Sequence, residues 1–234
     1  MQSLNGLIRL NLGCGLQAPP DWVNVDGSWN ARLAKFPALR RIFVSLGLVP
    51  RDKAQIPWSP NIFIHDVRKP LPFKDNSASA VFASHVLEHL YRDESERLVR
   101  EALRVLCSGG VLRVIVPDLE AIIQEYNGEQ PFGAVPADEQ AKAPADRLNE
   151  RLLMRSASAP KRSLLYWIYD SRSDFHSHKW MYDFTSLSGL LGGAGFVAIQ
   201  RKRAGDSLIE NIAAVEDPSR IVNGAGVCVE ARKP

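Results

Sequence analysis

Two glycines and one aspartate near the amino terminus have the residue types and order of a ligand cradle. Gly13 and Gly15 directly follow a short apolar run, and Asp26 ends the next apolar run. Glycine permits a positive φ and a close approach of bare backbone to a ligand, and a carboxylate can accept hydrogen bonds from both hydroxyls of a ribose. A plain turn and a solvated strand end would explain these residues singly. Their succession favours a ligand that contains a ribose.

Polar side chains follow the later apolar runs as well. Asp66 can accept a hydrogen bond from the exocyclic amine of adenine, with Val67 packed beside the ring, although an aspartate before Arg68 is also typical of a turn. Ser84 and His85 follow the next run. An imidazole in that place can take up a proton at neutral pH, so we predict His85 as a catalytic base.

A third polar group comes late in the chain and comprises His176, His178, Lys179, Tyr182 and Asp183. It precedes a predicted helix, and its density indicates substrate binding or a base, for which we select His178 and Tyr182. A polar hinge anchored by Trp180 is the alternative interpretation.

The imidazoles of His85 and His89 would share one face if a single helix carried both. A metal ion in a protein needs at least a third ligand, and the sequence places none beside this pair. We therefore predict no metal site, and a structural, hydrogen-bonded role for His89.

The elements that would position these residues alternate between strand and helix over residues 7–126. Apolar runs predict strands over residues 7–12, 22–26, 62–64, 80–84, 111–116, 196–202 and 227–231. Apolar stripes predict helices over residues 37–46, 93–106, 119–126 and 184–191, with Gly109-Gly110 ending the second, and Gly192-Gly193 or Gly195 the last. This alternation indicates an α/β fold with a doubly wound, mostly parallel sheet, whose ligands bind at the carboxyl ends of strands. Pro19-Pro20 leave room for about one turn of helix between the first two strands.

The composition is that of one globular unit. The chain has 234 residues, of which 45% are hydrophobic, enough for one substantial core. A net charge of +3 is too small to indicate nucleic-acid binding. Three cysteines without a C-x-x-C pair indicate a reducing, cytoplasmic setting.

Two segments interrupt this pattern. Residues 30–53 contain a basic helical stripe around Arg40 and Arg41, which we interpret either as a lid over the site or as a helix that contacts an anionic membrane face. Residues 128–175 are rich in proline, alanine, serine and charge. We predict that they form an insertion, helical near residues 145–155.

Taken in order, the motifs resemble those of class I S-adenosylmethionine (SAM)-dependent methyltransferases. The segments that carry the resemblance are Leu10–Gly15, His65–Phe73, Val86–Leu90 and Arg104–Gly110. The resemblance implies a seven-stranded, Rossmann-like sheet whose last strand is antiparallel, and SAM as the cofactor. It places Asn11, Gly13, Cys14 and Gly15 beside the amino acid part of SAM, Asp26 at the ribose, Asp66 and Val67 at the adenine, and Ser84 and His85 beside the sulfonium. Asn11 departs from the family, which usually has an acid there.

A narrower likeness concerns the acceptor. The segments Asn24–Asp26, His178–Asp183 and Val229–Pro234 resemble a bacterial group of predicted methyltransferases that accompany surface-polysaccharide synthesis. This likeness implies methyl transfer to a small-molecule, glycan or glycolipid hydroxyl. The basic stripe around Arg40 and Arg41 would suit a lipid-linked phosphate or peripheral contact at the inner membrane face.

Two other functions stay open. The first is an NAD(P)-dependent oxidoreductase, because residues 13–18 match G-x-G-x-x-A. Against it, Pro19-Pro20 break the helix start that this motif requires, and Asp26 comes earlier than the usual acid. The second is a SAM-binding partner protein without catalysis, for which Asn11 and the shortened helix leave room.

Overall fold

Seven strands form one sheet in the computed structural model, which describes residues 6–46, 57–129, 142–154, 177–222 and 225–234. The strands are β1 (Ile8–Leu12), β2 (Val23–Asp26), β3 (Ile62–Ile64), β4 (Ala78–Ser84), β5 (Leu106–Pro117), β6 (Val197–Arg201) and β7 (Gly226–Arg232). Their order is β3-β2-β1-β4-β5-β7-β6. Strands β1 to β5 pair in parallel, and β7 runs antiparallel to both neighbours. The predicted α/β fold, with a mostly parallel sheet and an antiparallel last strand, is confirmed.

The carboxyl ends of four strands meet at one edge of this sheet. Leu12 pairs with Val25 on one side and with Ala83 on the other, and Asp26 pairs with Ile64. The strand order reverses between β1 and β4, and an open α/β sheet binds its ligands at such a switch point. The loop after β1 and the residues after β4 are therefore neighbours.

Six helices are described: α1 (Trp29–Ala34), α2 (Pro37–Ser45), α3 (Arg92–Val105), α4 (Leu119–Tyr126), α5 (Pro144–Leu152) and α6 (Phe184–Ala194). Helix α3 buries Leu98, Ala102 and Val105, which the helical repeat places on one face. These residues join the main hydrophobic core with Leu187 and Leu191 of α6. Within the described ranges, every helix is too short or too polar to cross a bilayer.

Two glycine pairs differ from the prediction. Gly109-Gly110 were expected to end a helix, but they lie inside β5, which begins directly after α3. The reason is that their main-chain groups pair with those of Lys233 at 3.0 Å, which extends the β5–β7 ladder. Helix α6 also continues through Gly192-Gly193 and ends at Gly195, which has a φ of 107°. Glycine adopts that left-handed conformation without steric cost.

The two interrupting segments are partly described. Helices α1 and α2 form most of residues 30–46 of the basic segment, and its residues 47–53 lie outside the described ranges. Helix α5 confirms the helix predicted near residues 145–155. The remainder of the insertion, residues 130–141 and 155–175, lies outside the described residues, as does His176.

A buried arginine lies in the middle of β5. Arg113 has no exposed surface and pairs in register with Glu230 of β7. Its Nη1 donates to Oε1 of Glu230 at 2.9 Å, and its Nε donates to Oε2 of Glu216 at 2.6 Å. Further N–H groups donate to the carbonyl oxygens of Asp206 and Arg203. Because partners surround the guanidinium, its charge is tolerated inside the protein.

A second arginine fastens the loop before β4 to α3. Nη2 of Arg104 donates to the carbonyl oxygen of Leu71 at 2.9 Å and to Oε2 of Glu101 at 2.8 Å. Nη1 donates to Asp75 Oδ1 at 2.6 Å and to the carbonyl oxygen of Phe73. The hydrogen bond from Arg104 holds the pKa of Glu101 below its ordinary range.

Candidate active site

The two glycines after β1 have different surroundings and different structural roles. Gly13 has a φ of 62°, and a Cβ placed on it would lie 2.5 Å from Cγ2 of Val86. Gly15 has a φ of 54°, and a Cβ there would meet no atom within 4 Å. Gly13 therefore lets the loop pack against the segment after β4, whereas Gly15 presents bare backbone to open space.

Asp26 ends β2 beside this loop. The residue is 7% exposed. Oδ2 accepts from the backbone N–H of Gly15 at 3.0 Å, and Oδ1 accepts from that of Ser28 at 2.8 Å. A carboxylate has about four acceptor positions, so two hydroxyl groups can still bind. The structure thus brings together two of the residues that the sequence paired.

Two buried amides shape the loop between β1 and β2. Nδ2 of Asn11 donates to the carbonyl oxygen of Gln17 at 2.8 Å and to Oδ1 of Asn24 at 3.0 Å. Nδ2 of Asn24 donates in turn to the carbonyl oxygens of Pro19 and Trp22. Asn11 is therefore a donor between two acceptors, which explains why an amide stands where the family usually has an acid.

Cys14 turns its side chain away from open space. The thiol is buried in a small cluster with Ala31 and Ile62. Burial, with a contribution from the nearby Asp26 charge, raises the pKa of Cys14 to about 12. The residue thus remains a neutral thiol at neutral pH, and only its backbone is placed to face a ligand.

Asp66 follows β3 at the same edge and forms a turn. Its Oδ1 accepts from Nε of Arg68 at 2.9 Å, and its Oδ2 from Nη2 at 2.8 Å. The hydrogen bond from the Arg68 side chain lowers the pKa of Asp66. Val67 packs into the main core and is 7% exposed. The turn geometry foreseen as one interpretation is present, and the adenine contact stays a prediction.

The residues after β4 form a contact that the sequence did not predict. His85 has a φ of 54°, a conformation that is uncommon outside glycine. Its Nδ1 lies 3.0 Å from Oε1 of Glu88, whose side chain is completely buried. Nε2 of His85 and Oγ of Ser84 are buried without a hydrogen-bond partner among the described residues. These buried polar atoms keep their hydrogen-bonding capacity for a ligand at this edge of the sheet.

His178 and Tyr182 reach this region from the segment before α6. His178 is 8% exposed, and its ring lies 5.0 Å from that of His89, centroid to centroid. Burial lowers the pKa of His178 and raises that of Tyr182. Tyr182 is 1% exposed and belongs to the main core. Asp183, by contrast, caps α6 through the backbone N–H of Ser186.

A comparison with protein families found one match that bears on this edge of the sheet. Residues 30–114 match the family described as "Methyltransferase domain". This match covers 85 of the 234 residues and supports a SAM-dependent methyltransferase domain in the chain. Its cofactor is S-adenosylmethionine, as the first motifs implied. The matched range begins after the glycine loop and β2 and extends into β5.

The methyltransferase domain has distant likenesses among solved structures. A possible exported protein from Bordetella parapertussis is 16% identical, with 98% of this chain and 62% of that chain covered and a TM-score of 0.47. A SAM-dependent methyltransferase from Thermotoga maritima, a possible histamine N-methyltransferase, is 15% identical, with coverages of 99% and 84% and a TM-score of 0.43. Human N-acetylserotonin methyltransferase, solved with SAM, is 17% identical, with coverages of 94% and 49% and a TM-score of 0.39. No curated protein matches the chain.

The strand order also bears on the dinucleotide alternative. A classical dinucleotide-binding sheet is parallel with the order 3-2-1-4-5-6. The methyltransferase domain instead inserts antiparallel β7 between β5 and β6. Between β1 and β2 there is no helix, because Pro19-Pro20 occupy this stretch. Both features favour methyl transfer over hydride transfer.

Sequence reasoning assigned no role to two buried acids of the methyltransferase domain. Glu88 stood inside a quoted motif, and Asp118 follows β5 at the same edge. Oδ1 of Asp118 caps α4, and its Oδ2 lies 2.5 Å from Nη2 of Arg201. Burial raises the pKa of Asp118, while Arg201 opposes the rise. The sequence could have indicated these two acids only through their positions, since both follow strands at the ligand edge of the sheet.

Another cleft in the methyltransferase domain lies away from this edge of the sheet. It has a volume of roughly 600 Å³ and is lined by residues such as Ile8, Trp22 and Val23, at the amino-terminal ends of the strands. Arg9 lies over the Trp22 ring there, 5.2 Å from its centroid. None of the predicted site residues lines this cleft.

Proposed function

We propose that the chain transfers a methyl group from SAM to a hydroxyl group of a glycan or glycolipid. The observation that carries the hydroxyl acceptor is the contact between His85 and the buried carboxylate of Glu88. A hydroxyl is a poor nucleophile until its proton is removed. A carboxylate that orients an imidazole is a recurrent way to place a base where the proton must go.

The described residues fit SAM at the carboxyl edge of the sheet. The open backbone at Gly15 suits the amino acid part, and the spare acceptor positions of Asp26 suit the ribose hydroxyls. Asp66 and Val67 are proposed for the adenine, and Ser84 and His85 for the surroundings of the sulfonium. When bound, SAM supplies a methyl group that is already activated by the positive sulfur. The protein then has to align the acceptor and accept its proton.

His85 is the proposed base, and Glu88 is its positioning residue. Nδ1 of His85 faces Glu88, which leaves Nε2 as the atom that takes the proton. His178 and Tyr182 are the other proposed candidates, but both are more deeply buried. Nδ1 of His178 also meets the carbonyl oxygen of Leu152 at 2.9 Å.

The glycan class rests on the narrower sequence likeness, which covers Asn24–Asp26, His178–Asp183 and Val229–Pro234. The weak net charge argues against nucleic acid as the acceptor. A sugar hydroxyl has the proton that the proposed base would accept.

A matched pair of glycine variants tests the donor site. Gly15→Ala places a methyl group in the proposed donor space, whereas Gly109→Ala adds the same group at an equally open position with a φ of 75° in β5. Both substitutions carry the left-handed backbone cost, about 1–2 kcal/mol. Calorimetry with S-adenosylhomocysteine should show binding to wild type and Gly109→Ala, and weakened binding to Gly15→Ala. Binding of NAD in preference to the adenosyl ligand would contradict the proposal.

Turnover tests the base. Transfer of label from methyl-tritiated SAM to a panel of methyl glycosides should fall about 10²–10⁴-fold in kcat for His85→Gln. The affinity for S-adenosylhomocysteine should change far less. Full turnover in this variant would remove His85 as the base, and no turnover in wild type would favour the SAM-binding partner without catalysis.

Peripheral membrane contact through α2 is a second proposal. Arg40 and Arg41 lie on this helix, and apolar side chains at Phe36, Ile42 and Leu46 are 62%, 53% and 65% exposed. Exposed apolar groups beside basic ones suit an anionic lipid surface, and a lid packed over the site is the competing interpretation. Flotation with anionic vesicles at low salt, against neutral vesicles, separates the two.

A further inference from the structure

Three side chains of known metal-ligand type converge beside the proposed base. Glu88, His89 and His178 each offer one ligand atom, and these atoms all lie within 4.8 Å of one another. Glu88 and His89 come from the short 3₁₀ turn after β4, and His178 comes from the segment before α6. From the sequence, only His85 and His89 were considered as a metal-binding pair. In the fold, His89 is joined by the carboxylate of Glu88 and by the imidazole of His178.

The carboxylate in this cluster is buried with one charged contact and without a hydrogen bond among the described residues. Glu88 has no exposed surface, and neither carboxylate oxygen has a hydrogen-bond partner among the described residues. The described contact is the one with Nδ1 of His85 at 3.0 Å. An ionised carboxylate away from water is costly unless it is paired or bound to a metal ion. Beside its contact with His85, the Glu88 carboxylate therefore keeps free acceptor positions, and one of its oxygens belongs to the cluster.

The two imidazoles are held in one tautomer. Nδ1 of His89 lies 3.2 Å from the carbonyl oxygen of Ser177, and Nδ1 of His178 lies 2.9 Å from that of Leu152. A carbonyl oxygen only accepts, so both Nδ1 atoms carry a hydrogen, and in the neutral form of each ring Nε2 is then the nitrogen with a lone pair. Metal-binding histidines are oriented by this same kind of bond to a carbonyl or carboxylate.

Main-chain hydrogen bonds fix the ligands relative to one another. The N–H groups of Lys179 and Trp180 both donate to the carbonyl oxygen of Glu88, at 2.6 and 3.3 Å. The N–H of His178 donates to the carbonyl oxygen of Leu153 at 3.0 Å. The turn that carries Glu88 and His89 is thus tied directly to the segment that carries His178, so the ligand set exists before any ion binds.

We propose that Glu88, His89 and His178 form a binding site for one first-row divalent transition metal ion. Two imidazoles and one carboxylate suit Zn²⁺, Fe²⁺ or Co²⁺. Three protein ligands leave at least one coordination position for water or an oxygen of a substrate. Because His85 contacts Glu88, the ion would lie beside the proposed acceptor position. This proposal goes beyond methyl transfer and does not depend on it.

Titration of the metal-free protein with Zn²⁺ and with Co²⁺ tests the site. Calorimetry should show one Zn²⁺ per chain, and Co²⁺ should give visible absorption bands. Glu88→Gln, His89→Ala and His178→Ala should each weaken binding by more than about 100-fold, since loss of an outer-shell partner alone costs about 10–100-fold. His65→Ala removes a histidine outside the cluster and should retain wild-type affinity. Absent binding, or unchanged affinity in Glu88→Gln, would overturn the proposal.

A second measurement, made on the wild-type protein, tests the ligand set even if the variants fail to fold. In long-range ¹H–¹⁵N spectra of wild type, Zn²⁺ should shift the Nε2 resonances of His89 and His178 and leave both Nδ1 atoms protonated. Shifts at Nδ1, or none at either ring, would contradict the ligand set. Neither experiment uses SAM or an acceptor. Failure of the metal site is therefore distinguishable from failure of the methyltransferase proposal.

Discussion

The amide of Asn11 donates to Oδ1 of Asn24 at 3.0 Å, and both side chains are at least 98% buried. This bond joins β1 to β2 directly beneath the glycine loop. It also fixes the orientation of the Asn24 amide, which can then donate to two carbonyl oxygens of the same loop. The pair accounts for the shape of a donor loop that has no helix behind it.

Replacing Asn11 by aspartate should destabilise the protein. The new carboxylate would face Oδ1 of Asn24 and the carbonyl oxygen of Gln17 with nothing to donate. A buried acceptor left without a donor costs about 1–3 kcal/mol, and more when it is charged. Urea unfolding at pH 7 should show a loss of at least about 2 kcal/mol. The loss should shrink at acidic pH, where the carboxyl group regains a hydrogen. Asn61→Asp, on an exposed residue, is the control and should change little.

Replacing the buried Arg113 by methionine should lower the free energy of unfolding far more than replacing an arginine on the surface would. The variant leaves the carboxylates of Glu216 and Glu230 buried and facing one another without their shared cation. Breaking a buried ion pair from one side costs about 3–5 kcal/mol. Denaturant unfolding measures the loss. The triple variant with Glu216→Gln and Glu230→Gln should recover part of it, and a triple variant less stable than Arg113→Met would contradict this account.

Glu101 should give the stability a specific dependence on acid. Its pKa is lowered in the folded protein, chiefly by the hydrogen bond from Arg104. The group therefore contributes stability that is fully present above its unfolded pKa, roughly 4.3, and is lost as the pH falls through the lower folded pKa. Unfolding free energy from pH 6 to pH 3 should decline more steeply in wild type than in Glu101→Gln. The difference at neutral pH should be about 1 kcal/mol, because the pair is partly screened by solvent. Parallel curves would show that the bond contributes nothing.

The three cysteines should react in two classes. Burial raises the pKa of Cys14 and of Cys228 to about 12, so neither offers appreciable thiolate near pH 8. Cys107 is only partly buried. A disulfide reagent at pH 8 should titrate one thiol rapidly in the folded protein and all three in denaturant. Cys107→Ser should abolish the rapid phase, and a remaining rapid phase would place reactivity at one of the buried thiols.

The ligand edge of the sheet was predictable from local pattern. Apolar runs locate the strands, and chain direction in a parallel sheet gathers whatever follows them at one edge. Gly15 and Asp26 are therefore found together, joined by a hydrogen bond. The extent of β5 was predicted wrongly because two glycines were taken to end a helix, whereas pairing with Lys233 holds them in the sheet. At these two glycines, pairing between strands outweighs the local tendency of glycine to end a helix.

Contacts between distant segments were beyond sequence reasoning. Glu88 and His178 meet only because the segment before α6 returns to the turn after β4, through hydrogen bonds made by main-chain groups. Those bonds depend on backbone geometry and leave no trace in residue type. Arg113 offered a usable signal, since a charged residue within an apolar strand needs an opposite charge nearby. Its partner Glu230 stands opposite it in β7, a register that no local pattern specifies.

The conformation of the loop between β1 and β2 is set by residues in the two flanking strands. Two strand residues dictate the path of the intervening chain, and exposed positions such as Leu16, with 54% of its surface open, contribute little to that path. Substitutions at the exposed positions of this loop, which form its rim, can therefore accumulate in evolution or be introduced by design. The path of the backbone stays the same, because residues of the sheet determine it. The rim becomes a place where relatives can diverge in what they recognise without rebuilding the scaffold beneath.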